Sequence, residues 1–123
     1  MAILTNAGKV AAAKLLNGVD SVPAFTYIAI GSGSTAEAAT QTQLVTEITA
    51  NGGARAAATC SYVASNTAKW EKEFAFTGDV TIREFGVFSA SSGGTMLVRH
   101  LLAAGKAYEN GEKALVSISA VIS

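Results

Sequence analysis

From Val116 to Ile122 the sequence alternates: Val116, Ile118, Ala120 and Ile122 fall on one side, Ser117 and Ser119 on the other. Successive residues of a strand point to opposite faces, so a period of two marks a strand with one buried and one solvated face. The same period recurs upstream. Trp70, Phe74 and Phe76, with the stem of Lys72, share one face, and Lys69, Glu71 and Glu73 take the other. Arg55 to Val63 sets Ala56, Ala58, Cys60 and Tyr62 against Arg55, Thr59 and Ser61. Phe25, Tyr27 and Ala29 oppose Thr26, Ile28 and Ile30 in a run that is apolar on both sides, as an interior strand is. Val80–Phe88 and Thr95–Leu102 read as two more strands, and the link through Ser91, Ser92, Gly93 and Gly94 makes them a hairpin.

The breaks between these runs carry turn chemistry: Ser65, Asn66 and Thr67, then Gly78 with Asp79, then Glu109, Asn110 and Gly111. Gly31 to Thr42 reads as a loop, followed by a short anchor at Leu44, Val45 and Ile48. Only the N-terminus departs from the pattern. Thr5 is a candidate N-cap, Ala7, Val10, Ala11 and Leu15 recur at helical spacing, and Gly18 supplies the stop, so a helix is expected over 5–17. Ile3 or Leu4 is placed to staple its first turns. The expected fold is all-β: a single antiparallel β-sandwich with Greek-key-like connections over 24–122, preceded by one short N-terminal α-helix. At 123 residues, 1–123 is expected to be one domain.

Charge narrows the range of partners. Nine Lys and Arg balance nine Asp and Glu, and only 15% of residues are charged, so no global field exists to hold a nucleic-acid backbone or an anionic membrane surface. Neither nucleic acid nor membrane is an expected partner. Alanine supplies about a fifth of the chain, well above ordinary usage, which implies a thin interior open to close approach. A neutral surface of this kind also does little to prevent association, and a homo-oligomer is expected. No stretch approaches the roughly 20 apolar residues that span a bilayer, and Met1 to Gly18 lacks the apolar core of a secretory signal, so synthesis in a cytoplasm is expected.

Catalytic, cofactor and metal sites are all expected to be absent. Gly31, Gly33 and Ala36 match G-x-G-x-x-A after a strand, but a dinucleotide site also needs a crossover helix and a parallel second strand, and an antiparallel pattern follows instead. The single histidine, His100, lies within a strand. Ser89, Ser91 and Ser92 lie across the hairpin from it, and only Glu84 offers a third group. One His, one Cys and scattered carboxylates give no metal-ligand pair at a useful spacing. Glu71 and Glu73 share a face with Lys69 and read as a salt-bridged exterior, and Cys60 reads as a small buried hydrophobe. Arg83 and Glu84 stand out as adjacent charges in mid-strand. Glu84 would share a face with Val80, Ile82 and Phe88 and therefore needs a cation or backbone amides, for which Arg55 and Arg99 are the candidates. Two readings follow: a pair internal to the chain, or one completed across a subunit boundary.

The order of the motifs resembles a known group. L-T-N-A-G-K at Leu4 to Lys9 leads to Y-I-A-I-G-S-G at Tyr27 to Gly33, then T-Q-L-V-T-E at Thr42 to Glu47 and Arg55. I-R-E-F-G-V-F at Ile82 to Phe88 and G-G-T-M-L-V-R at Gly93 to Arg99 follow, with a closing alternating strand. This order resembles small virion proteins of tailed bacteriophages, of the capsid decoration or cement type, and the attachment domain of phage tail-collar fibres. By that resemblance Gly31 and Gly33, and Glu84 and Gly86, are architectural positions; Arg55, Arg83 and Arg99 join them as structural or assembly candidates. With the sequence closing at Ser123, no shaft or receptor-binding tip is expected. The function this implies is a non-enzymatic virion component, made in the host cytoplasm, that clamps neighbouring major capsid subunits. The alternative is a tail-collar, baseplate or short tail-fibre attachment protein that binds tail or baseplate proteins of the same phage. A small-ligand binder using the Gly31 to Thr35 loop is the remote third reading.

Overall fold

The computed structural model describes residues 3–121. After a short strand β1 (Ile3–Leu4), helix α1 (Asn6–Asn17) is capped as the sequence predicts: the Thr5 hydroxyl accepts from the Gly8 amide, and Gly18 closes the helix at φ 70° with its N–H on the Lys14 carbonyl. The strands that follow are β2 (Tyr27–Gly31), β3 (Ala56–Ala57), β4 (Thr59–Ala64), β5 (Thr67–Ala75), β6 (Val80–Phe88), β7 (Met96–Tyr108) and β8 (Lys113–Val121). They form two antiparallel sheets, one in the order β1-β7-β6-β2-β3 and the other β4-β5-β8. The result is an all-β sandwich with one short helix. Hairpins join β4 to β5 and β6 to β7, and the chain crosses between sheets after β3, β5 and β7.

The interior follows the alternation. Trp70 and Phe74 of the smaller sheet, with Val116, Ile118 and, just past β5, Phe76, pack against Ile28, Ile30, Val80, Ile82 and Val87 of the larger one. The Trp70 indole N–H donates to the Phe25 carbonyl at 2.7 Å, which satisfies the one polar atom of a side chain otherwise in the core. A second, smaller cluster of Ala29, Leu44, Phe88 and Met96 is separate from it. Helix α1 lies close on β7, because a side chain at Gly8 would meet the Leu97 backbone at 2.7 Å.

Several expectations are corrected. The Arg55–Val63 run is two strands in different sheets, divided at Ala58, whose amide bonds the Thr26 carbonyl. β4 lies at the margin of its sheet with every residue exposed, so Cys60 is exposed rather than a buried hydrophobe. β7 runs six residues past Leu102. Ala103 to Ala107 have weak strand preference, but pairing of Ile82, Thr81 and Val80 with Lys106, Ala107 and Tyr108 recruits them. Ile3 and Leu4 pair with Arg99 and Val98 as a strand. In α1 only Gly8 and Ala11 are buried, while Val10 and Leu15 of the predicted apolar stripe are exposed. Ile122 lies outside the described residues.

Candidate functional site

A register irregularity between Ile82 and Glu84 changes which face of β6 meets the opposite sheet. Val80 and Ile82 join the main core, whereas Glu84, Gly86 and Phe88 turn to the other face, where the segment 32–46 covers them. The expectation that Glu84 shares a face with Val80 and Ile82 therefore fails, since simple alternation cannot foresee an irregularity. Its companionship with Phe88 holds.

Glu84 is fully buried, and so is Arg99, which sits on β7 opposite Gly86. The Arg99 Nε donates to Glu84 Oε1 at 2.8 Å, and the Val45 amide donates to the same oxygen at 2.9 Å. Oε2 accepts from the Gly33 amide at 2.9 Å and the Thr46 amide at 2.8 Å. Four donors thus occupy the roughly four acceptor positions of an ionised carboxylate. Burial pushes this carboxyl up, but the Thr46 amide, the Arg99 guanidinium and the Val45 and Gly33 amides together hold it below its ordinary value. At neutral pH it is an anion, and its acceptor positions are already taken by these four donors. Arg99 Nη1 reaches the Gln41 side-chain oxygen at 3.2 Å, while Nη2 is buried with no hydrogen bond among the described residues.

The glycines of the Gly31–Ser32–Gly33 segment follow from this carboxylate. A Cβ at Gly31 would lie 2.5 Å from Glu84 Oε2 and 2.6 Å from the Thr46 carbonyl oxygen; at Gly33 it would lie 2.5 Å from both Glu84 Oε2 and Val45 Cβ. Neither glycine has a positive φ, so close approach is what requires them. Gly86 serves the same packing: a Cβ there would meet the Val98 carbonyl oxygen at 2.8 Å. The G-x-G spacing that resembles a phosphate loop is thus the floor of a carboxylate site within the protein.

Arg55 belongs to a neighbouring cluster. Its guanidinium forks onto Glu47 at 3.1 and 2.7 Å, donates to the Ala90 and Gly93 carbonyls at 3.1 and 2.8 Å, and lies 3.6 Å over the Phe88 ring. Glu47 also bridges to Gly31, so the two clusters adjoin. Arg83 joins neither: it is exposed and lies across Gly105. Sequence reasoning missed Gln41, Glu47 and the Val45 and Thr46 amides, because nothing local indicates which loop backbone will meet a strand carboxylate 38 or 39 residues away.

The remaining candidates are dispersed. His100 pairs with Phe85, stacks on its ring at 5.0 Å and places Nδ1 3.6 Å from Glu37, whose carboxylate also accepts the Leu101 amide. Ser89 sits at the far end of the hairpin, opposite Thr95. Glu71 pairs with Lys69 at 3.4 Å and Glu73 with Lys113 at 3.8 Å, the exterior ion pairs expected of that face. No cluster of three or more potential metal ligands occurs among the described residues, and no helix among them is long and apolar enough to cross a membrane.

These features define a two-sheet β-domain whose buried polar groups hold a covering loop to the sheet. The chain belongs to a family of phage fibre proteins: residues 6–122 match the family described as Podophage GP4 fiber I protein gp80. No curated protein matches the chain significantly.

Proposed function

We propose that this chain is a non-enzymatic structural component of the phage tail-fibre apparatus, attached to other tail or baseplate proteins of the same virion. The observation that carries the reading is the match to a fibre-protein family across residues 6–122. That match favours the tail-fibre alternative over capsid decoration, for which no comparable observation speaks. The chemistry of the interior supports a passive role: Glu84, the most deeply buried carboxylate, spends all its acceptor capacity on holding segment 32–46 against β6 and β7. A pre-ordered domain of this kind offers a partner a fixed surface without an ordering cost on docking. Segment 32–46 is not a free strand donor, because the Ala39 carbonyl accepts from Asn6 and Glu37 accepts from Leu101.

Gold-labelled antibody against the purified chain, applied to intact particles, tests the assignment. Label confined to the tail or its fibres is the expected result. Label spread over the head would overturn it in favour of the cement reading.

A further inference from the structure

We propose that the outer edge of β8 is a homotypic interface, where the strand pairs antiparallel with β8 of a second copy about a two-fold axis through Ser117. The inference goes beyond the tail-fibre assignment and does not depend on it.

β8 ends its sheet, and it pairs with β5 at nine successive positions without a register shift. Its other side is therefore a long, regular row of backbone donors and acceptors. Natural edge strands are usually blunted by charge, proline, a bulge or shortness. From Ala114 to Val121 there is no charged residue, proline or glycine. The other free edge of this sheet, β4, is different: six residues long, interrupted between Tyr62 and Ala64, and exposed on both faces. Pairing at β4 would extend no core, whereas pairing at β8 would.

The pattern of β8 also selects its own copy. Ala114, Val116 and Ile118 point inward and are buried, while Leu115 and Val121 point outward and are 65% and 57% exposed. Directly opposed residues of an antiparallel pair share a face, so a register that preserves the buried row must oppose residues of equal parity. The register centred on Ser117 does this and uses the whole strand. Val116 then opposes Ile118, Ala114 opposes Ala120, Leu115 opposes Ser119, and Lys113 opposes Val121. No like charges face each other, and a chain of zero formal net charge adds no general repulsion between copies.

The neighbouring strand fits the same axis. β1 pairs with Arg99 and Val98, and Glu37 takes the Leu101 amide, so among the described residues the outer edge of β7 is open from Leu102 to Tyr108. A cavity of about 240 Å3 between the sheets is bordered there by Leu102, Tyr108, Ala114 and Val116. Ala103, Ala104, Gly105 and Ala107 are exposed and small, which lets a second β7 approach when the axis runs normal to the sheets.

Light scattering coupled to gel filtration over a dilution series tests the interface. The wild-type chain is expected at twice its 12.5 kDa mass, Ser117→Lys at the single-chain mass with an unchanged circular dichroism spectrum, and Tyr62→Lys, at the other edge, at twice the chain mass. A wild-type monomer at the highest soluble concentration, any other stoichiometry, or a Ser117→Lys variant that stays dimeric overturns the proposal. Should Ser117→Lys fail to fold, hydrogen exchange of the wild type decides: alternate β8 amides should lose protection on dilution. Protection of β8 that does not change with concentration contradicts the interface.

Discussion

Glu84 on β6 and Arg99 on β7 meet at 2.8 Å with side chains no more than 1% exposed, and both belong to the same chain. Of the two readings open to a mid-strand glutamate, the internal pair is therefore the one realised. The Val45 and Thr46 amides extend the pair to the segment that covers it. Replacing one member leaves the other charge buried and uncompensated. Glu84→Gln and Arg99→Met are each expected to cost about 3–5 kcal/mol in urea unfolding. The double variant should cost less than the sum of the two, and additive losses would show that the charges are not coupled.

The same carboxylate sets an acid limit. Its folded value lies below the ordinary value of 4.5, so its stabilising contribution is complete above that value and is lost as pH falls through the lower folded one. Thermal melts of the wild type should therefore fall steeply on the acid side of 4.5. In Glu84→Gln this part of the fall should be missing. An unchanged acid slope in that variant would assign it to other carboxylates.

Gly33→Ala tests the close approach. A methyl group there would press on Glu84 Oε2 and Val45 Cβ, and overpacking of this kind costs about 1–3 kcal/mol. Ser34→Ala, at the exposed next position, should stay within about 0.5 kcal/mol of the wild type. Equal stabilities for the two variants would mean that the loop is free to move away.

Arg55→Lys keeps the charge but loses the fork onto Glu47, the two loop carbonyls and the stacking on Phe88. A loss of about 1–3 kcal/mol is expected, with faster hydrogen exchange in the Ser91–Gly94 turn that this arginine braces. Unchanged exchange there would make the contacts to Ala90 and Gly93 incidental.

Much of the fold is legible in the sequence where local chemistry and burial agree. Thr5 and Gly18 bound the helix, Val80–Phe88 is a strand over its expected length, and Trp70, Phe74 and Phe76 face the core. The failures have one physical source, namely contacts made far along the chain. Lys106, Ala107 and Tyr108 become strand because Ile82, Thr81 and Val80 lie beside them, and Cys60 is exposed because its strand is the margin of a sheet. The site was half legible. A buried-looking Glu84 demanded a cation, and Arg99 was one of two candidates, but the backbone amides that complete the cluster carry no side-chain signature.

The assignment to the tail-fibre apparatus is tested most directly by counting copies of this chain against the major capsid protein in purified particles by quantitative mass spectrometry. The account predicts a small number of copies per particle. A ratio near one chain per major capsid subunit would contradict it and place the domain on the head.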